Sequence, residues 1–346
     1  MRCFGFVILM LVVGGAGPVA AQSANTYWAQ IEKLDSGPPA RSGDPEEMKQ
    51  LARQHLDRQQ RLLTTFLDQF PRDERKIEAE LKLAAVLAAK ARVEKEPLLL
   101  QQAEALWNRI ENDADARPKQ KQAAAFSRVT TGWLTIDPAT MKAERDRFLN
   151  EVRKFGLDHP SDERFAAMLA EISSLYPDQP EIQAAILREA QVVAQNPGLL
   201  ARVKDDLLRL SFLGRPFRSS LPILAGPPLD SAKSGQPVLV VFWSPESVPS
   251  MELIVELKAI LDEKPDWNYR VLAVAVTDRL DQAKSWFGKL DTSWTLAGEA
   301  GGWRAPAIRA WGINLLPTVW IVDAEGRVRH VTAQRELDAA LHRHAE

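Results

Sequence analysis

Ser247 and Ser250 stand three residues apart in the run Ser247-Val248-Pro249-Ser250, just after an apolar stretch ending Phe242-Trp243. A strand feeding a helix would place this run at a helix N-terminus, where free backbone N–H groups and the helix dipole favour negative charge. A serine there has two uses. It can attack a substrate if a base takes its proton, or it can cap the helix by accepting a backbone N–H. The base would normally be a histidine held by a third group. His55, His159, His330, His342 and His344 are the five histidines, and none falls in a recognisable triad context. Capping is therefore the reading these residues favour.

Other constellations are poorer still. His342-x-His344 has two metal-ligating side chains, but residues two apart on a helix do not share a face, and no metal site is expected. Gly301-Gly302 lies beside Trp303 without the flanking pattern of a phosphate loop. The chain of 346 residues has a single cysteine, Cys3, so the sequence offers no pair of thiols. Its 44 Lys and Arg nearly balance 46 Asp and Glu, which gives no basic field for nucleic acid. A composition 45% hydrophobic and 26% charged is that of a globular chain of two or three domains.

Cys3 falls within a segment that reads as a leader. Arg2 precedes an apolar run from Phe4 to Val13, and small residues follow to Val19-Ala20-Ala21. This is the pattern of a signal peptide over 1–21, with cleavage leaving Gln22 first; a retained N-terminal anchor is the alternative. Export, to a periplasm or the extracellular space, is the expectation. The mature chain would then carry no thiol and no stable membrane insertion.

Residues 22–213 read as successive helices. Asp44-Pro45-Glu46-Glu47 has a capping residue, a proline at the first helical position and a glutamate three residues on. Leu56, Leu63, Phe66 and Phe70 then continue an amphipathic stripe. The phrase Phe70-Pro71-Arg72-Asp73-Glu74-Arg75 recurs as His159-Pro160-Ser161-Asp162-Glu163-Arg164, and more loosely as Tyr176-Pro177-Asp178-Gln179-Pro180-Glu181. Each phrase breaks one helix and opens the next. The architecture implied is a TPR-like helical array or an irregular bundle.

From Gly214 the pattern changes. Pro237–Trp243 and Tyr269–Val276 read as buried strands, each followed by a helix, over 247–261 and 280–290. Thr318–Val322 is a third strand, Asp323-Ala324-Glu325-Gly326 turns it into an edge strand over 327–331, and a helix closes the chain. The predicted fold class is α+β multidomain: an N-terminal all-α domain over 22–213 and a C-terminal α/β domain over 214–346 with a parallel core and an antiparallel edge.

This order resembles the thioredoxin fold. The strand ending Phe242-Trp243 is similar to the one before that family's redox loop, and Ser247-Val248-Pro249-Ser250 stands where the family places Cys-x-x-Cys. Leu316-Pro317-Thr318 resembles its cis-proline loop, and Asp323 to Gly326 the hairpin of the exported TlpA- and ResA-like branch. The departures bear on function. Both cysteines are serine, the family's buried carboxylate falls at Val241, its helix-kinking proline at Val255, and Glu246 replaces the usual tryptophan. A serine hydroxyl stays un-ionised at neutral pH, and thiol–disulfide exchange needs a thiolate and a sulfur target.

What the resemblance leaves is peptide recognition, because the residue before the cis-proline can pair with an extended chain. The surface implied is Trp243, Val248, Leu316 and Pro317, with Trp294, Trp303 and Trp311 as further aromatics in the preceding stretch. The expectation is an exported thioredoxin-like protein without redox cysteines or cofactor, binding a protein or an extended peptide. The alternatives are an envelope enzyme related to thiol-disulfide oxidoreductases, and a sheet domain that merely caps the helical array.

Overall fold

The computed structural model describes residues 23–37, 43–134, 141–229, 235–290, 292–335 and 337–344. The leader-like residues 1–21, Cys3 among them, lie outside this set. By contact the chain divides into two compact units, residues 1–136 and 137–346.

The first unit contains α1 (Ala24–Leu34), α2 (Pro45–Gln69), α3 (Lys76–Glu94), α4 (Pro97–Asn112) and α5 (Pro118–Leu134). Asp44 caps α2, its carboxylate accepting from the Glu46 N–H at 2.9 Å ahead of Pro45. Leu63 and Phe66 of α2 pack with Trp28 and Ile31 of α1 and with Ala79 and Val86 of α3. The other side of α3 meets Trp107 and Ile110 of α4 through Ala84, Leu87 and Ala88. Small alanines let α3 be covered on both sides, which a helix with one apolar stripe could not be.

The second unit begins with α6 (Met141–Asp158), α7 (Arg164–Ser173), α8 (Pro180–Val193) and α9 (Pro197–Leu210). The recurrent helix-breaking phrase has one geometry in both units. Asp73 accepts from the Arg75 backbone N–H at 2.9 Å and from its guanidinium twice at 2.8 Å. Asp162 accepts from the Arg164 backbone at 2.9 Å and from its guanidinium at 2.9 and 2.6 Å. In each, the aspartate also bonds back to the residue before the proline, Asp73 N–H to the Phe70 carbonyl and Asp162 N–H to the His159 carbonyl. A shared sequence phrase thus builds a shared corner.

Six strands follow: β1 (Ile223–Ala225), β2 (Val238–Trp243), β3 (Arg270–Ala275), β4 (Thr295–Gly298), β5 (Thr318–Val322) and β6 (Val328–His330). They form one sheet in the order β1-β4-β3-β2-β5-β6, with β2, β3 and β4 mutually parallel and the other three antiparallel to their neighbours. The helices between them are α10 (Val248–Glu263), α11 (Leu280–Phe287) and α12 (Pro306–Ala310), and α13 (Leu337–His344) follows β6. Both faces are covered. Leu239, Val241 and Trp243 of β2 point into a core shared with α10, α11 and α13. The alternate residues Val238, Val240 and Phe242 face Trp311, Trp320, Phe217 and the end of α9. A strand buried on two sides must be apolar throughout, and β2 is.

Two features differ from the sequence expectation. β1 and β4 extend the sheet beyond the strands foreseen, because Thr295-Leu296-Ala297-Gly298 is too short and too poor in β-branched residues to stand out. The contact boundary also falls near residue 136, whereas composition changes at Gly214. Helices α6 to α9 pack with the sheet as one unit, so Gly214 marks where helices give way to strands.

Candidate functional site

The ends of β2, β3 and β4 and the start of β5 lie at one edge of the sheet, since Phe242 pairs with Thr318 and Trp243 with Ala275. In open α/β sheets the crevice beyond the carboxyl ends of the strands is where ligands bind. Here the edge is built from the loop 244–247, the first turn of α10 and the segment 312–317.

Ser247 caps α10, its Oγ accepting from the Ser250 N–H at 3.3 Å, with Pro249 in the first turn where no backbone donor is needed. Ser250 is fully buried, and among the described residues its hydroxyl has no hydrogen-bond partner. A buried orphan hydroxyl costs roughly 1–3 kcal/mol, whereas a thiol in the same place behaves as a small hydrophobe.

Glu246 is the charged centre of the edge. The Ser244 hydroxyl donates to Glu246 Oε2, and the Thr277 hydroxyl donates to Oε1 at 2.8 Å. Arg279 Nε lies 4.0 Å from Oε1. Burial opposes ionisation, but the two hydroxyls, the glutamate's own backbone N–H and Arg279 together outweigh it and hold the carboxyl below the usual glutamate range. The sequence reading noted Glu246 only as a departure. Ser244 is a local partner, but Thr277 and Arg279 come from just past the end of β3, Thr277 being 31 residues away, and no local pattern announces them.

The segment before β5 is held from behind. Arg209 of α9 donates to the Gly312 carbonyl at 3.0 Å and to Asn314 Oδ1 at 2.9 Å. Asp206 accepts from Arg209 at 2.5 Å and from Asn314 Nδ2 at 2.9 Å. Gly312 has φ +66°, and a Cβ there would stand 2.4 Å from the Asp205 carbonyl oxygen. Thr318 Oγ1 donates to the Leu315 carbonyl at 2.7 Å, and the Leu316–Pro317 peptide bond is cis.

A parallel βαβαβ run is completed by an antiparallel pair, helices cover both faces, and a helix N-terminus adjoins a cis-proline loop. The fold of this domain is thioredoxin-like. The chain is similar to a thioredoxin-like protein of Bacteroides caccae at 15% identity, covering 70% of this chain and 93% of that one, with a TM-score of 0.42. It is similar to a thiol-disulfide oxidoreductase of Bacteroides fragilis at 19% identity over 35% of this chain and 99% of that one, TM-score 0.29. It is also similar to a secreted disulfide oxidoreductase of Mycobacterium tuberculosis at 18% identity over 36% and 96%, TM-score 0.31. Neither family models nor curated protein sequences match the chain.

In the thioredoxin-like domain the expected site residues fall as follows. Val248 is 57% exposed on the first turn of α10, and Leu316 and Pro317 are half-buried at the edge. Thr318, named with them, is buried and opens β5. Trp243 corrects the expected binding surface. It is fully buried, with its ring 5.0 Å from that of Trp286, because it is the inward-facing last residue of β2. Trp311 is likewise buried, against Phe217 and Phe242, while Trp303 is 48% exposed. Leu315, 53% exposed, was not foreseen and joins Val248 as an apolar side chain at this edge.

The histidines stand elsewhere. His342 meets Trp267 and His344 meets His330, so the pair at the C-terminus diverges. Among the described residues no three His, Cys, Asp or Glu side chains cluster as metal ligands, and no helix is long and apolar enough to cross a membrane.

Proposed function

We propose that this protein is a binding module that uses the thioredoxin-like edge to hold an extended peptide or protein segment without performing thiol chemistry on it. The observation that carries the reading is at Leu316. Among the described residues neither its N–H nor its C=O has a hydrogen-bond partner, and it sits between exposed Leu315 and half-buried Pro317. An unpaired backbone unit flanked by apolar side chains suits an added strand, whose main chain bonds to it while alternate side chains rest on Leu315 and Val248. Serine at 247 and 250 removes the nucleophile and the resolving sulfur together.

Export completes the reading and rests on the leader-like sequence of residues 1–21. The helices serve as the adaptor that carries the sheet domain. Selection of displayed peptides on the purified chain tests the binding. Extended, apolar-rich sequences are expected to be enriched, and Val248→Asp and Leu315→Asp should each weaken a selected peptide by about tenfold, or 1.4 kcal/mol. Absence of enrichment, or selected peptides indifferent to both substitutions, would overturn the proposal.

A further inference from the structure

The side-chain amide of Asn314 is committed entirely to α9. Its Oδ1 accepts from Arg209 at 2.9 Å, and its Nδ2 donates to the Asp206 carboxylate at 2.9 Å and to the Arg202 carbonyl at 3.2 Å. An amide of this kind offers one acceptor and one donor group, and both are used within a single helix. Just upstream, the Gly312 carbonyl accepts from the same guanidinium at 3.0 Å. The N–H groups of Gly312 and Ile313 donate to the Arg309 and Ile308 carbonyls at 3.1 and 3.2 Å, and Ile313 is buried with Phe242 and Trp311. The helix that holds Asn314 is itself fixed, since Val203 is fully buried and Arg202 reaches Glu171 of α7 at 2.8 Å.

Downstream, Thr318 bonds back to the Leu315 carbonyl at 2.7 Å and pairs with Phe242 across the sheet. Leu315, Leu316 and Pro317 therefore bridge two anchors, Asn314 on α9 and Thr318 in β5. The unpaired backbone unit of Leu316 lies in the middle of that bridge. A segment that must be ordered when a ligand binds lowers affinity, and one already held in its bound form avoids that cost. The β5 anchor belongs to the sheet. The other is supplied by side chains of a helix outside it.

We propose that Arg209 and Asp206, acting through Asn314, are positioning residues for peptide binding: they hold the bridge so that the Leu316 N–H and C=O face an incoming strand. This rests on the peptide-binding reading above. None of the three residues touches the peptide. The last helix before the sheet is thus part of the binding machinery as well as an adaptor.

The test uses the full chain and a displayed peptide that it selects. Asn314→Ala should weaken that peptide by about tenfold while the protein stays folded. Arg209→Lys keeps a charge beside Asp206 but lacks the fork that reaches Gly312 and Asn314 together, and should weaken it similarly. Lys204→Gln, exposed on the same helix, should leave affinity unchanged. Methylating the peptide's backbone nitrogens one at a time locates the residue that pairs with Leu316. That methyl group should weaken binding by about tenfold in wild type and by at most about threefold in Asn314→Ala, because both changes impair the same main-chain pairing. A merely structural role for Asn314 would leave the methyl effect equal in the two proteins. Equal methyl effects, wild-type affinity in Asn314→Ala, or an equal loss in Lys204→Gln would overturn the positioning role. Asn314 is half-buried, so its variant decides the matter even if Arg209→Lys does not fold. A chain that selects no peptide would overturn both readings. One whose binding depends on Val248 and Leu315 but not on Asn314 would overturn this one alone.

Discussion

Arg209 of α9 donates to Asn314 Oδ1 at 2.9 Å across 105 residues of sequence, and through that bond the last helix before the sheet grips the segment that leads to Pro317. The same guanidinium reaches the Gly312 carbonyl and Asp206, and its side chain is only 11% exposed. The proposed peptide edge thus has its back wall in a helix that, by composition, belongs with the preceding array.

Arg209→Met leaves Asp206, Asn314 and the Gly312 carbonyl without their shared donor. Removing one member of a buried charged network costs about 3 kcal/mol, whereas an exposed arginine is worth under about 0.5 kcal/mol. Urea unfolding of Arg209→Met beside Arg147→Met, whose side chain is 59% exposed, is the comparison. Equal losses in the two would show that α9 does not grip the segment.

Gly312→Ala tests the close approach separately. Gly235 has φ +60° with nothing among the described residues within 4 Å of a built Cβ, so Gly235→Ala incurs the left-handed backbone penalty, about 1 kcal/mol. Gly312→Ala adds a clash at 2.4 Å with backbone that cannot move without shifting α9. It should cost at least about 1 kcal/mol more than Gly235→Ala. A smaller loss than in Gly235→Ala would contradict the packing described.

Glu246 gives a pH dependence with a definite sign. Its carboxyl is held below the usual glutamate range, so the unfolded chain binds more protons as the solution is acidified. The stabilisation from Glu246 is complete above the unfolded-state value and disappears as pH falls through the lower folded value. The stability gap between wild type and Glu246→Gln should therefore be widest near neutral pH and close towards pH 3. Denaturant melts at both pH values measure it, and a gap that widens in acid would reverse the assignment.

Ser250 lacks a partner for its buried hydroxyl. Ser250→Cys and Ser250→Ala should each raise stability by about 1 kcal/mol by removing an unsatisfied polar group from an apolar site. Destabilisation by both would mean that the hydroxyl is satisfied in solution.

Much of this was legible in the sequence where the signal is local. The unbroken apolar run of β2, the serine cap of α10 and the paired proline-aspartate corners are all written within a few neighbouring residues. The Thr277 and Arg279 contacts of Glu246 and the Arg209 grip were not, because each depends on partners from distant parts of the chain. Trp243 is instructive. The thioredoxin resemblance placed it on the peptide-binding surface, but the period-two alternation of β2 turns it inward.

The central claim is that the edge retains a place for a peptide and has lost the sulfur chemistry. Reduction of insulin, followed by turbidity with the full chain and a thiol reductant, tests it directly. Wild type should be no faster than reductant alone, and Ser247→Cys combined with Ser250→Cys should accelerate the reaction by placing two thiols at a helix N-terminus. Wild-type turnover matching that of the double variant would contradict the account.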